Sequence, residues 1–123
     1  MTTGGPVGDL AGMLAGMAPL LDARRWAFVV VDGAAPDDSF AVIREDEGTT
    51  AIVPDPAGDF ARLTLTVHSA LDGVGLTAAV AGALAERGIA CNVVAGFHHD
   101  HLFVPWARAD EALAILQRLA AAF

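Results

Sequence analysis

The densest run of potential ligands in the chain is His98-His99-Asp100-His101, with His68 available from upstream. Imidazole and carboxylate are ordinary ligands for zinc, nickel or non-haem iron. Adjacent residues of a strand or tight turn point in different directions, so at most His99 and His101 could share a face. Turn-forming and capping roles account for the same cluster. A metal-binding protein or metal-dependent enzyme using His99, Asp100 and His101 within the 98–101 cluster is therefore the alternative reading of this chain. A second motif, Gly73-Val74-Gly75-Leu76-Thr77-Ala78, follows a predicted strand, opens a predicted helix and fits the G-x-G-x-x-A dinucleotide fingerprint. That fingerprint needs an acidic residue about 20 positions on to hold the ribose; the strand there offers only Asn92, and the next acid is Asp100 in a turn. What survives is simpler. Glycines let backbone N–H groups at a helix N-terminus approach an anion such as a carboxylate, or they merely make the tight strand-to-helix turn. Ser69 follows His68 with Asp72 close behind, but a nucleophile and its base must converge from separate segments, and neighbours do not build a triad.

Composition removes other chemistries. All seven basic residues are arginines, so Schiff-base catalysis and the P-loop, which need a lysine, are excluded. Fifteen acidic residues against seven basic give net charge −8, a repulsive field for nucleic acid and anionic bilayers, and neither is expected as a partner. The single cysteine, Cys91, lies in the apolar run Ile89-Ala90-Cys91-Asn92-Val93-Val94 and reads as a buried structural thiol. No apolar stretch reaches the ~18–20 residues of a membrane span. The apolar segment 10–21 precedes the first basic residue, Arg24, and so lacks the positive flank of a signal peptide; a cytoplasmic location is expected. At 123 residues the chain has the size of one domain or two small repeats sharing a core. With 54% hydrophobic and 18% charged residues and a mean hydropathy of +0.51, it carries more apolar material than one small globule fills, which predicts a buried surface between subunits.

The elements that must position these residues follow from patterning. Residues 1–8 read as a loose tail. Asp9 is a predicted N-cap for a helix carrying Leu10, Met13, Leu14 and Met17 on one face and stopping before Pro19. Strands are predicted over 26–31, 40–44 and 49–53, the last two flanking a turn at Glu45-Asp46-Glu47-Gly48. Acids crowd this half at Asp32, Asp37, Asp38, Glu45, Asp46, Glu47, Asp55 and Asp59; their turn positions suit solvated carboxylates, and no EF-hand spacing occurs. A strand over 62–68 alternates cleanly, with Leu63, Leu65 and Val67 on the inner face. An alanine- and leucine-rich helix over 74–87, ended by Gly88, has so little polar surface that contacts on more than one side are expected. Strands over 89–95 and 102–106 are joined by a turn through 96–101. A last helix opens on Asp110 and Glu111, with Ala112, Leu113, Leu116, Leu119 and Ala120 as its apolar face. The second half is thus βαββα, a ferredoxin-like unit without its final strand, in an α+β fold. The missing strand must come from the first half or from a second subunit. The predicted division is an N-terminal half-domain, helix then short strands, over 1–60, and the βαββα domain over 61–123.

Placed on these elements, the second half resembles an ACT domain. The residues that carry the resemblance are Thr64-Leu65-Thr66-Val67-His68-Ser69, Asp72-Gly73-Val74-Gly75-Leu76, the helix ending in Gly88-Ile89, and Cys91-Asn92-Val93-Val94-Ala95-Gly96. With His99-Asp100-His101-Leu102-Phe103-Val104-Pro105 and the Glu45 to Gly48 segment, the chain is similar to a family of small stand-alone bacterial ACT-like proteins without an established activity. The resemblance implies a non-catalytic regulatory module that needs no cofactor and works as a homodimer. It implies an amino acid or similar small carboxylate held between domains or subunits, by Asp72, Gly73, Val74, Gly75 and Leu76 from the loop and by Cys91, Asn92 and Val93 from the following strand. Asn92 would be the side chain that reads the ligand's amino or carboxylate group, since its amide both donates and accepts.

Overall fold

Local chemistry sets each element of the computed structural model, which describes residues 5–123. The Asp9 carboxylate accepts the Gly12 amide at 2.7 Å and starts α1 (Leu10–Ala15), which buries Met13 and Leu14. Residues 1–4 of the expected loose tail lie outside the described residues, and the rest of it is not loose. The Val7 amide donates to the His68 carbonyl and the Val7 carbonyl accepts from Ala70, both at 2.8 Å, because this segment lies parallel to the chain at Ser69.

The first half then gives β1 (Leu20–Leu21), β2 (Trp26–Val31), β3 (Ala41–Glu45) and β4 (Gly48–Pro54), and the second gives β5 (Phe60–Leu65), α2 (Leu76–Ala85), β6 (Asn92–Ala95), β7 (Asp100–Pro105), a 3-10 turn at Trp106–Arg108 and α3 (Ala109–Ala121). All seven strands form one sheet in the order β3-β4-β2-β5-β7-β6, with β1 also on β5. The missing strand is supplied by the first half. Leu20 and Leu21 pair antiparallel with Thr64 and Leu63, and β2 touches β5 at the single pair Trp26↔Phe60. β1 is a strand that two leucines between a proline and an aspartate do not announce. β6 is shorter than expected, since Ile89 packs into the core below α2 rather than pairing. β7 starts earlier, so Asp100 and His101 belong to a strand and not to the turn.

The alternation of β5 holds: Ala61, Leu63 and Leu65 are fully buried beneath the three helices, with Leu102 and Val104 from β7 and Val80, Leu84 and Leu116 from the helices completing the main core. α3 buries Ala109, Ala112, Ile115 and Leu116, while Leu113, Leu119 and Ala120 pack at its margin. α2 buries only Leu76, Val80 and Leu84, one stripe of the helix, so the expected contacts on several sides are not made within one chain. On the other face of the sheet the β3-β4-β2 ribbon curls over β7, and Trp26, Ile52 and Phe103 form a second, aromatic core with Phe40 and Phe60. Edge-to-face contacts at 5.8 Å between Phe40 and Phe103 and 5.4 Å between Phe28 and Phe103 close it. Among the described residues no helix is long and apolar enough to cross a membrane.

Candidate ligand-binding site

The two faces of the central strands divide the candidate residues. Because β5, β7 and β6 run in register, Leu65, Asp100 and Ala95 share the helix side, while Arg62, Phe103 and Asn92 share the aromatic side. β5 ends in the glycine loop, and α2 begins just above the end of β6. Gly75 adopts φ +101° there, a backbone state that suits glycine, and a Cβ on it would come within 3.2 Å of Leu10. No side chain caps the helix, so its first amides keep their donors. One amide of the loop is already used: Gly73 N–H donates to the Ala70 carbonyl at 3.0 Å.

Beneath this helix start is a cavity of about 100 Å³ whose walls include Met13, Ser69, Gly73, Leu76, Thr77 and Asp100. Partial burial pushes the Asp100 carboxyl up from its ordinary value, against the pull of the Ser69 hydroxyl and of His99. The sequence marks Asp100 as a metal ligand only. Its place two residues before Leu102 and four before Val104, on the inward parity of β7, is the signal that assigns it to this cavity.

The loop residues Asp72, Gly73, Val74, Gly75 and Leu76 thus stand together, with Val74 80% exposed and Leu76 buried. The strand residues do not join them within one chain. Asn92 is exposed and lies opposite Phe103 on the other face of the sheet, while Cys91 and Val93 pack against the main core. Burial raises the Cys91 thiol, which keeps it protonated and unreactive.

The histidine cluster is separated in the same way. His99 and His101 share a parity with ring centroids 6.5 Å apart, but Asp100 between them faces the opposite side. Among the described residues no three His, Cys, Asp or Glu side chains converge as a metal site. His101 is instead held by Thr64 Oγ1 at 2.9 Å and by the edge of Phe40 at 4.8 Å. Burial, then Arg62 and His99, lower its pKa, so it is neutral at neutral pH.

A third arrangement escapes sequence reasoning. Asp22, beside β1, accepts from Arg24 at 2.9 Å and from Arg62 at 2.8 Å. The Arg62 guanidinium lies 4.9 Å from the Trp26 ring and 4.4 Å from that of Phe40, a desolvated cation between aromatic faces. Nothing local in the sequence links residues 22, 26, 40 and 62; the sheet does.

Two family models, each of an ACT domain, match the chain, one over residues 61–118 and the other over residues 6–69. The chain belongs to the ACT-domain family. The two matched spans overlap over β5, the strand that pairs with β1, β2 and β7, so each ACT match contains the centre of the sheet. Among solved structures, the chain is 40% identical to a protein of unknown function from Vibrio cholerae, described as a possible transport protein, with TM-score 0.74 over 86% of this chain and 92% of that one. A protein from Agrobacterium tumefaciens is 20% identical, with TM-score 0.59 over 77% and 81% of the two chains. The ligand-free regulatory subunit of aspartate kinase from Thermus thermophilus is 11% identical, with TM-score 0.64 over 82% and 95%, a likeness of fold. No protein of curated function matches. The ferredoxin-like α+β class expected from the second half is the fold of the chain.

Proposed function

We propose that this ACT-type chain is a non-catalytic regulatory module of the cytoplasm, built of an ACT-like half-domain over 1–60 and an ACT domain over 61–123, that binds an amino acid or similar small carboxylate at the loop Asp72 to Leu76. The observation that carries this reading is the uncapped start of α2 standing over a small cavity that also presents Asp100. Helix amides receive a carboxylate there, and Asp100 offers an acceptor to an amino group. Asn92, Cys91 and Val93 take part only if a second copy brings its β6 to this loop, so the reading includes a homodimer with the ligand between subunits. The exposed alanines of α2 and the exposed Leu71 and Val74 of the loop are the surface available for that contact.

A thermal-shift screen of the twenty amino acids and related acids tests it. A true ligand at 100 times its Kd adds about 2.7 kcal/mol to stability. Asn92→Ala should abolish the shift and leave unliganded stability unchanged, since Asn92 is exposed. A blank screen rejects the sensing role; a shift that survives Asn92→Ala removes Asn92 and the partner's strand from the site.

A further inference from the structure

A cavity of about 480 Å³ lies at the other end of β5 from the glycine loop, where the β1–β2 connection, the turn after β4 and Trp106 meet. Its walls are mostly carbon, from Pro54, Pro56 and Trp106, and its charged members are Arg24, Arg25 and Asp55. Arg24 is paired with Asp22. Arg25 and Asp55 have no such partner. They are neighbours across the β2–β4 ladder, where the Asp55 amide donates to the Arg25 carbonyl at 2.9 Å, yet the two side chains make no ion pair with each other or with any other described residue. The Arg25 guanidinium is drawn away instead: its Nε–H donates to the Gly58 carbonyl at 2.7 Å and its carbon lies 4.9 Å from the Trp106 ring centroid. The Asp55 Oδ1 accepts the Ala57 amide at 2.9 Å. The terminal nitrogens of Arg25 and the second oxygen of Asp55 are left for a ligand.

The walls are fixed before any ligand arrives. Two prolines lock their own φ angles, and Gly58 sits so close to Trp26 that an added Cβ would overlap the Trp26 carbonyl. A preformed, largely apolar cavity of this size suits a ligand larger than a free amino acid. A separated cation and anion on its rim suit a ligand with opposite charges at its two ends.

We propose that this cavity binds a short apolar peptide with free termini, its carboxylate on Arg25, its ammonium on Asp55 and its side chains against Trp106, Pro54 and Pro56. The site is distinct from the glycine loop and does not depend on that reading. The dipeptide phenylalanyl-leucine is the probe, and the indole N–H resonance of Trp106 in the intact chain is the readout. Saturable shifts at Trp106 are expected. N-acetylation or C-terminal amidation of the dipeptide should each weaken binding about tenfold or more, as loss of a charge-assisted bond does. Asp55→Asn, which keeps an oxygen for the Ala57 amide, should weaken the free dipeptide by a similar factor and leave the N-acetylated one unchanged. Because Arg25→Gln also loses the bond to Gly58 and risks the fold, the deciding measurements are those with the blocked peptides on the native chain and with Asp55→Asn. No shift at Trp106 up to about 10 mM dipeptide, at the weak end of measurable affinity, overturns the proposal. So does an unchanged affinity in Asp55→Asn, equal binding of free phenylalanine, or shifts confined to the Gly73 and Gly75 amides.

Discussion

At the scale of single residues, Asp22 does more than its exposed neighbourhood suggests. Its carboxylate joins Arg24, which is largely exposed, to Arg62, whose side chain is only 15% exposed. Hydrogen bonding from Arg24, reinforced by Arg62, holds the Asp22 carboxyl well below the usual carboxylate range. A folded-state pKa below the unfolded value stabilises the fold at every pH above the unfolded pKa, and that stability is lost as pH falls through the folded value. Asp22→Asn removes the charge and leaves Arg62 among Trp26 and Phe40 with no carboxylate. A loss of about 2–3 kcal/mol at neutral pH is expected. Because the native advantage fades in acid, the gap between native chain and variant should narrow below about pH 4. Urea unfolding at several pH values measures both; a gap independent of pH would show that packing, and not charge, is what the carboxylate supplies.

At the scale of elements, the turn after β4 depends on a close approach that only glycine permits. Gly58 is buried against the Trp26 backbone, and its carbonyl receives Arg25. Gly58→Ala must push the turn off β2, at a cost of about 3 kcal/mol, the upper range for overpacking; thermal unfolding would show it, and a variant as stable as the native chain would mean that the turn shifts freely. Such long-range facts are not legible in the sequence. What is legible has a local cause: the Asp9 cap, the alternation of Leu63 and Leu65, and the acids opening α3 all act within a few residues of themselves. The short β1 escapes because two residues carry no period, and its identity as the missing strand depends on Thr64 and Leu63 across the sheet. The candidate site divides along the same line. The loop Asp72 to Leu76 is marked by its glycines, whereas the separation of Asn92 from that loop, and of Asp100 from His101, follows from strand parity counted from a start residue that patterning misplaces.

At the scale of the whole molecule, the two halves of the chain share one sheet. β5, β6 and β7 carry the helices on one face, and the β3-β4-β2 ribbon folds across the other, so the chain has a main core under α1, α2 and α3 and an aromatic core between ribbon and sheet. These two cores take up part of the apolar surplus, but among the described residues Leu20, Val30, Leu71, Val74 and Phe97 stay more than 60% exposed. What is left over at Leu71 and Val74 beside the loop, and at Val30, 82% exposed on the ribbon, is where a second copy would be sought.

The single backbone pair between Trp26 and Phe60 bears on how the molecule opens. Hydrogen-bonded ladders run within the ribbon and within β5-β7-β6, but only one rung crosses between them, and side-chain packing has to hold the seam. Amide hydrogen exchange should therefore resolve two cooperative units: the protected amides of β2 and β4 should exchange through a lower-energy opening than those of β5 and β7. A single shared exchange energy across all four strands would mean that aromatic packing alone couples the halves as tightly as a continuous ladder. If the units are separate, each can lose its structure while the other persists.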